Sequence, residues 1–382
     1  MLKQCIDAER EKVMKYVFVS YNYSPIFTSP ESWFMRTEGY SGILESLAKS
    51  NTVINVKQIN YEGNCIHNLV KYRFLDFGKR KTYFPTGLNY YVKKLKPDVV
   101  VVQGLHHPVQ VMQLRLALNG KTKIIAQHHA EKPFTGIKKY IQRLADHCID
   151  AYLFTSRGIG EVWVAKGNIG SSKKIHEVME VSSLFYPVKK AAARLKAGVQ
   201  GSAVFLWVGR LNENKDPLNV VKAFLKFAEC NPDARLYMIY HTEELLNEIK
   251  ALFEKDKNKT SIILVGRVPH DELLYWFNSA DFLISGSHYE GGGTAVCEAM
   301  SCGCIPIVTD IDSFRMITDN GNCGILYEAG NENALLSALN QTRDLDVKQK
   351  QVNSLNYYRS NLSFETIAAK INEIATGVLT RK

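Results

Sequence analysis

The sequence predicts an α/β protein with two Rossmann-like, doubly wound parallel sheets that face a central cleft. Short apolar segments alternate with helical segments along the chain, which is the pattern of parallel β/α units. The alternation stops near Pro187 and begins again at Ala203, so two units of similar size follow one another. A chain of 382 residues also exceeds one ordinary core and suits two domains.

The first predicted domain covers residues 1–190. A run of valines in Val99–Gln103 predicts a strand that is buried on both faces. The polar and aromatic segment 21–34 predicts a long loop after the first strand, which either stacks on a sugar or simply packs. The predicted strands are 16–20, 53–58, 99–103, 123–127 and 151–155, and the predicted helices are 39–50 and 109–118.

The second predicted domain covers residues 200–360. A Lys-, Ala- and Gly-rich stretch at 189–202 predicts the linker before it, and a helix at about 362–382 could pack back on the first domain. The predicted strands are 203–208, 234–240, 261–265, 281–285 and 305–309, and the predicted helices are 217–230, 243–255, 271–278 and the region from about 333 onward.

Composition predicts a globular protein that stays in the cytoplasm. Hydrophobic residues make up 46% and charged residues 23%, and no apolar run reaches the roughly 18–20 residues of a membrane helix. The chain start lacks the apolar core of a signal peptide. The eight cysteines have no zinc-type spacing, since Cys302 and Cys304 are too close together, and are expected to be reduced.

The charge is unevenly divided between the two halves. Residues 1–190 hold 28 basic and 15 acidic residues, a net charge of +13, whereas residues 191–382 have a net charge of −3. A basic first half is compatible with an acidic acceptor, an anionic membrane face or nucleic acid, and equally with a merely soluble basic surface. Nucleic-acid binding is disfavoured because the basic-aromatic motifs of such proteins are absent from the sequence.

The most informative segment runs from Glu290 to Gly303. A buried strand, a Gly-Gly-Gly loop and a predicted helix N-terminus together suit a phosphate group, because backbone N–H groups and the helix dipole favour an anion there. Glu290 and Glu298 would repel a phosphate, whereas carboxylates accept hydrogen bonds from sugar hydroxyls. The segment therefore predicts a site for a nucleotide diphosphate that carries a sugar.

Two further loops follow strands that are predicted to end at the same edge. Gly209 permits a tight turn after the first strand of the second domain, and Arg210 and Lys215 suit a diphosphate. The segment 265–270, with Gly266 and Val268, follows a third strand, and its backbone could hydrogen-bond a base.

Two pairs of histidines follow strands of the first domain, His106-His107 and His128-His129. Their positions are expected to face the cleft, where one of them could contact a sugar hydroxyl or the leaving phosphate. Four histidines also raise the hypothesis of a metal site, but no carboxylate pattern accompanies them, and most histidines simply pack or satisfy a neighbour.

These motifs, in this order, resemble those of retaining glycosyltransferases of the two-domain GT-B fold, close to glycosyltransferase family 4. The resemblance is carried by about residues 203–330: Val208-Gly-Arg-Leu with Lys215, the 265–268 segment, Ala280-Asp281, and Glu290 to Glu298 followed by Ala-Met-Ser-Cys-Gly and Ile305-Pro-Ile-Val. The first half matches in its strand pattern and in a histidine after a strand.

The resemblance implies a transfer that retains anomeric configuration and needs no metal or cofactor. Arg210 and Lys215 would neutralise the departing diphosphate, helped by the N–H groups of Gly292, Gly293 and Thr294. Glu290 would hold the donor sugar and Glu298 the ribose. His129, or alternatively His128, would contact the donor sugar near the reacting centre. Catalysis would come mainly from positioning and charge stabilisation.

Some choices stay open at this point. The implied donor is a UDP-, GDP- or ADP-linked sugar, and the implied acceptor is a glycan or lipid-linked glycan, with possible contact to an anionic membrane. The sequence departs from the family in having Gly-Gly-Gly where Gly-Phe-Gly is usual, so the sugar is not predicted. The alternative enzyme is a nucleotide-sugar epimerase on the same two-domain plan.

Overall fold

The computed structural model describes residues 13–78, 82–254 and 256–381, which form two compact units. The first unit contains the described residues up to Leu153, Trp163–His176 and those from Ala368 onward, and the second contains Phe154–Val162 and Glu177–Ile367. Cys5, and the chain start that predicts the absence of a signal peptide, lie outside the described residues. The domain limits at 190 and 200 stay predictions.

An eight-stranded sheet underlies the first unit. Its strands are β1 (Lys15–Ser24), β2 (Thr52–Ile59), β3 (Gly63–His67), β4 (Val70–Leu75), β5 (Val99–Gln103), β6 (Lys123–Gln127), β7 (Ala151–Phe154) and β8 (Ile175–Glu177). The order across the described sheet is β3-β4-β2-β1-β5-β6-β7-β8. Because β5 and β6 are parallel neighbours, the loops that follow Gln103 and Gln127 start side by side. The valines of β5 are fully buried, as predicted.

One edge of this sheet is not parallel. Strand β3 pairs antiparallel with β4 through a tight turn in which Asn68 and Leu69 both have positive φ angles. The predicted doubly wound parallel sheet thus carries one antiparallel strand at its edge, which the sequence analysis did not predict. The sequence lacks the glycine that usually marks such a turn, which explains why the hairpin was missed.

Helices cover the strands of the first unit. They are α1 (Pro30–Ala48), α2 (Thr86–Lys94), α3 (Pro108–Ala117), α4 (Gly136–Ala145), α5 (Arg157–Ala165), which crosses the unit boundary, and the part of α14 (Phe364–Thr380) from Ala368 onward. Asn372 of α14 accepts 3.0 Å hydrogen bonds from the Tyr16 hydroxyl and the Asn51 amide. These bonds fasten the C-terminal helix to the first unit.

The long aromatic loop predicted at 21–34 is shorter in the structure. Strand β1 continues to Ser24, and α1 already begins at Pro30. Ser29 caps this helix, accepting from the Ser32 N–H at 3.3 Å, and Pro30 occupies the first turn. Trp33 therefore lies on a helix, and the predicted long loop is wrong at that residue.

The second unit contains a six-stranded parallel sheet. Its strands are β9 (Val204–Gly209), β10 (Arg235–Tyr240), β11 (Ile262–Gly266), β12 (Phe282–Ser285), β13 (Ile305–Thr309) and β14 (Ile325–Tyr327). The order is β11-β10-β9-β12-β13-β14, so the strand order reverses between β9 and β12. Ligands bind at such switch points in open α/β sheets, beyond the carboxyl ends of the strands.

The core of the second unit forms between this sheet and its helices. The helices are α6 (Lys190–Ala197), α7 (Pro217–Glu229), α8 (Leu246–Phe253), α9 (Leu273–Ser279), α10 (Thr294–Ser301), α11 (Asp312–Ile317), α12 (Glu332–Gln341) and α13 (Val347–Tyr357). Phe205 on β9 stacks on Phe282 on β12 with ring centroids 5.0 Å apart. The ring of Phe224 on α7 contacts Phe205 edge-on, with centroids 5.3 Å apart. These contacts hold β9 and β12 in a fixed relation below the switch point.

The predicted linker at 189–202 is largely a helix. Helix α6 consists almost wholly of Ala, Lys, Leu and Arg, which are strong helix formers. It ends at Gly198, whose φ of 66° is the left-handed conformation of a helix C-terminus. The composition of this stretch predicted a linker, whereas the helix propensity of the same residues accounts for α6.

Two composition-based predictions can be compared with the structure. All seven cysteines in the described part of the chain are free, and the prediction of reduced thiols stays a prediction. Within residues 13–78, 82–254 and 256–381, no helix combines the length and hydrophobicity that a membrane span requires.

Candidate functional site

The candidate site lies at the carboxyl ends of β9 and β12, where two loops approach closely. A Cβ atom on Gly286 would lie 3.1 Å from the Lys215 carbonyl oxygen and 3.2 Å from that of Asp216. Only glycine permits this separation without a shift of the backbone. The loop after β12 therefore rests directly on the loop after β9.

Polar contacts join the same two loops. The Lys215 ammonium forms an ion pair with the Glu290 carboxylate, and both side chains are partly buried. The Asn214 side-chain amide donates to the Tyr289 carbonyl at 3.0 Å, and the His288 N–H donates to the Asn214 carbonyl at 2.8 Å. Lys215 and Glu290, which the sequence assigned to one edge, thus meet directly.

Arg210 and Gly209 lie where β9 ends. The Arg210 side chain is exposed, and among the described residues its guanidinium has no ion-pair partner. A Cβ atom on Gly209 would lie 3.2 Å from the Trp207 ring and 3.7 Å from the Lys215 side chain. The glycine therefore avoids a tight contact with the Trp207 ring, and Arg210 supplies a second cation at this strand end.

Helix α10 begins at this edge without a side-chain cap. Gly293 precedes Thr294 with a φ of 55°, and no side chain among the described residues caps the first turn with a hydrogen bond. A Cβ atom on Gly293 would lie 2.9 Å from Ile317, and one on Gly292 would lie 2.8 Å from Val181 and 3.0 Å from a Glu180 carboxylate oxygen. Both glycines are sterically required, and the uncapped N–H groups form an anion-binding end.

Glu298 lies in the second turn of α10 and has a partner that sequence analysis missed. Glu298 is only 5% exposed, and its carboxylate accepts a 2.7 Å hydrogen bond from Nε2 of His270. The half-exposed His270 ring packs on Phe185, with centroids 5.1 Å apart. The two residues are 28 positions apart in unrelated segments, so no local sequence signal connects them.

The last residue of β11 and the loop after this strand contain the positions predicted to contact a base. Gly266 has a φ of 83°, and a Cβ atom added there would meet no atom within 4 Å. Glycine at this position is therefore favoured by the backbone conformation alone and not by packing. Val268 follows in the same loop, two residues before His270.

In the first unit, Glu131 connects the two histidine-bearing loops. Its buried carboxylate accepts from the Leu105 N–H at 2.9 Å and from the His129 N–H at 2.6 Å. Burial raises the pKa of Glu131, but nearby His128 and these N–H donors outweigh it, so the pKa falls below the usual value of a glutamate. The sequence analysis found no carboxylate pattern beside the histidines, whereas in the structure the Glu131 carboxylate binds the His129 N–H.

The histidines of these loops differ in environment. His128 is buried and its Nε2 atom lies 2.8 Å from the Glu131 carbonyl oxygen, whereas His129 is only partly buried. His107 lies 2.8 Å from the Asn22 side chain, and its pKa is lowered to about 4 by burial and by neighbouring His106. No three His, Cys, Asp or Glu side chains of the described residues converge to hold a metal ion.

Comparison with protein families identifies the second unit. Residues 190–358 match the family described as glycosyl transferases group 1. Arg210, Lys215, Glu290 and Glu298 all fall inside the matched region.

Curated relatives agree with this match. The chain is 30% identical over 148 residues to an Escherichia coli UDP-Gal:alpha-D-GlcNAc-diphosphoundecaprenol alpha-1,3-galactosyltransferase, covering 38% of each chain. It is 23% identical over 316 residues to a D-inositol 3-phosphate glycosyltransferase of Thermobispora bispora, covering 78% of this chain and 70% of that one. It is 25% identical over 270 residues to a GDP-mannose:cellobiosyl-diphosphopolyprenol alpha-mannosyltransferase of Xanthomonas campestris, covering 66% of this chain and 67% of that one.

Solved structures share the fold at low sequence identity. A glycosyltransferase from Rickettsia africae superimposes with a TM-score of 0.74 and 17% identity, over 97% of this chain and 100% of that one. HepE of Anabaena, solved with UDP-glucose, gives a TM-score of 0.67 and 14% identity, over 95% of this chain and 100% of that one.

The two parallel-sheet units and these structural neighbours define the GT-B glycosyltransferase architecture. The chain has the GT-B fold of these structures, and residues 190–358 in its second unit match the group 1 family. The predicted GT-B fold and the resemblance to glycosyltransferases are confirmed, whereas the narrower assignment to family 4 stays a prediction.

Proposed function

We propose that this protein transfers a sugar from a nucleotide-diphosphate sugar to a glycan or lipid-linked glycan acceptor, with retention and without a metal ion. The observation that carries the proposal is the Lys215–Glu290 pair at the β9/β12 switch point, beside the uncapped start of α10. A cation, a helix N-terminus and a carboxylate at one edge suit a ligand with a diphosphate next to sugar hydroxyls.

Each group has a role in this proposal. Lys215 and Arg210 stabilise the charge that develops on the departing diphosphate, together with the N–H groups of Gly292, Gly293 and Thr294. Glu290 accepts hydrogen bonds from the donor sugar. Glu298 holds the ribose, and since His270 already donates to one of its oxygens, the ribose uses the remaining acceptor capacity.

The donor sugar and the acceptor are proposed by analogy. The names of the relatives include UDP-Gal and GDP-mannose as donors and diphosphoundecaprenol and diphosphopolyprenol glycans as acceptors. The match covers only 38% of the E. coli relative, so its substrates come to this chain as a proposal. Such acceptors would place the protein in the cytoplasm at the inner face of a membrane, and the basic first half suits that position.

The role of His129 stays a prediction. Its partial exposure, compared with buried and hydrogen-bonded His128, supports His129 as the histidine that contacts the donor sugar. The Glu131 carboxylate supports it further, because its bond to the His129 N–H sets the backbone at that position.

The test combines a ligand screen with a double variant. Thermal-shift measurements against UDP-, GDP- and ADP-sugars identify the donor, because a ligand that binds only the folded state raises its stability. Release of the nucleotide diphosphate is then measured with a polyprenyl-diphosphate glycan as acceptor. Arg210→Ala with Lys215→Ala should lower turnover roughly a thousandfold or more, since each removes a stabiliser of developing charge.

The matched control is Lys222→Ala with Arg359→Ala, which removes an exposed lysine and an exposed arginine of the same unit outside the site. It should retain wild-type turnover. Near-normal turnover by the Arg210/Lys215 variant would contradict the proposal. Isomerisation of the donor in the absence of any acceptor would instead assign the protein to the epimerases.

A further inference from the structure

Helix α4 of the first unit exposes a row of large apolar side chains. Ile137, Tyr140 and Leu144 are 77%, 67% and 61% exposed. Their spacing of three and four residues aligns them along one side of the helix. Gln142 and Ala145 are buried on the side that packs on the unit. The apolar row therefore faces away from the core.

Basic side chains border this row. Helix α4 contains Lys138, Lys139 and Arg143 and no acidic residue. Arg143 pairs with buried Asp146 at 2.8 Å, so the positive charge of the border comes from the two lysines. The Lys139 ammonium lies 5.9 Å from the centre of the Tyr140 ring, and its side chain lies beside Gly167, the neighbour of exposed Lys166. The surface is thus an apolar stripe with a cationic border.

This combination has a known physical preference. A soluble surface gains nothing from lining up three large apolar side chains, so such a patch indicates a contact. An interfacial helix inserts its apolar side chains at the boundary of the acyl chains while its lysines meet anionic headgroups. A protein partner of ordinary composition would not require that every charged residue of this helix be basic.

We propose that α4 docks the first unit on an anionic membrane surface, with Ile137, Tyr140 and Leu144 inserted at the interface and Lys138 and Lys139 among the headgroups. The inference deepens the proposed function, because it rests on a lipid-linked acceptor as the reason for membrane contact. The helix lies on the surface and does not span it, being only ten residues long.

The test measures binding of the full chain to vesicles by co-sedimentation. One set of vesicles contains phosphatidylcholine alone and the other contains phosphatidylcholine with phosphatidylglycerol. Ile137→Ser with Leu144→Ser should lower the partition coefficient on the anionic vesicles by about tenfold or more, because two aliphatic side chains no longer insert. The control is Leu195→Ser with Val352→Ser, which removes side chains that are 87% and 51% exposed elsewhere and should bind like wild type.

A second pair of variants tests the charges. Lys138→Gln with Lys139→Gln should lower binding to anionic vesicles by about tenfold and leave the weak binding to phosphatidylcholine unchanged. Added salt should reduce wild-type binding to anionic vesicles in the same direction. The control Lys222→Gln with Lys250→Gln changes two exposed lysines of the second unit and should have no effect.

Several outcomes would overturn the proposal. Absent wild-type binding, or equal loss in the α4 variants and their controls, would show that α4 is not the docking surface. A wild-type dimer that becomes monomeric in the Ile137/Leu144 variant would assign the stripe to self-association. Calorimetry of nucleotide-sugar binding by the same variants separates membrane docking from the proposed function. A variant that still binds the nucleotide sugar but has lost vesicle binding supports docking by α4. Wild-type protein that binds no nucleotide sugar contradicts the proposed function alone.

Discussion

Replacing Gly293 by alanine should destabilise the second unit through two separable effects. The φ angle of 55° is unfavourable for any residue with a Cβ atom and costs about 1–2 kcal/mol. The new methyl group would also lie 2.9 Å from Ile317 and 3.0 Å from Phe314, which are both buried. Overpacking of this kind adds about 1–3 kcal/mol, so the expected loss of unfolding free energy is about 2–5 kcal/mol.

Gly266→Ala is the matched control, because it isolates the backbone effect. Gly266 has a φ of 83°, but its added Cβ atom would meet nothing within 4 Å. Alanine there should cost only about 1–2 kcal/mol. Both positions lie in the second unit, so the difference of about 1–3 kcal/mol measures the contact of the methyl group with Ile317 and Phe314.

The assay is urea denaturation followed by tryptophan fluorescence. Hydrogen exchange in peptides from β9 and β12 identifies which transition belongs to the second unit, since a two-unit protein need not unfold in one step. A midpoint for Gly293→Ala that equals or exceeds the midpoint for Gly266→Ala would refute the packing described at the start of α10.

Three other predictions follow from buried charged groups. Glu298→Gln should weaken binding of the donor nucleotide by about 1–3 kcal/mol in calorimetry, because an amide is a poorer acceptor than a carboxylate, and an unchanged affinity would mean that the ribose is held elsewhere. Burial lowers the pKa of Lys57 to about 7 from 10.5, so the folded state disfavours its charge. The stability of wild type relative to Lys57→Met should therefore rise by about 1.4 kcal/mol per pH unit between about pH 7 and 10, and a pH-independent difference in thermal unfolding would contradict this. Glu131→Gln should destabilise by about 1–3 kcal/mol at neutral pH, because the bonds from Leu105 and His129 lose a charged acceptor. Since the pKa of Glu131 is lowered from 4.5, the difference should shrink as pH falls below that value, and a difference that grows in acid would exclude the carboxylate as its source.

The parts of the site that the sequence could predict depend on sheet geometry. Parallel strands place their carboxyl ends at one edge, so the loops bearing Lys215 and Glu290 had to approach once β9 and β12 became neighbours. The glycines before α10 also predicted the site, because a Gly-rich turn between a strand and a helix places the helix N-terminus at the same edge of the sheet.

Other features depended on signals that were present but weighted poorly. Ser29-Pro30 is a recognisable helix start, yet the aromatic residues after it suggested a loop. The Ala- and Lys-rich run of α6 has strong helix propensity, and its composition was taken for a linker instead.

The pairing of His270 with Glu298, and of Glu131 with the Leu105 N–H, was beyond sequence reasoning. Each contact joins residues that are 26 or more positions apart, and neither belongs to a periodic pattern. Only the folded chain reveals that these two buried carboxylates already have donors.

The Lys215–Glu290 ion pair has a consequence for which anions the site accepts. A bare phosphate ion that competes for Lys215 must separate the lysine from Glu290 and leaves that carboxylate facing a second negative charge. A sugar diphosphate compensates both partners at once, since its phosphates meet the lysine while its hydroxyls donate to the carboxylate. The pair would thus act as a filter against abundant inorganic phosphate and in favour of the complete donor.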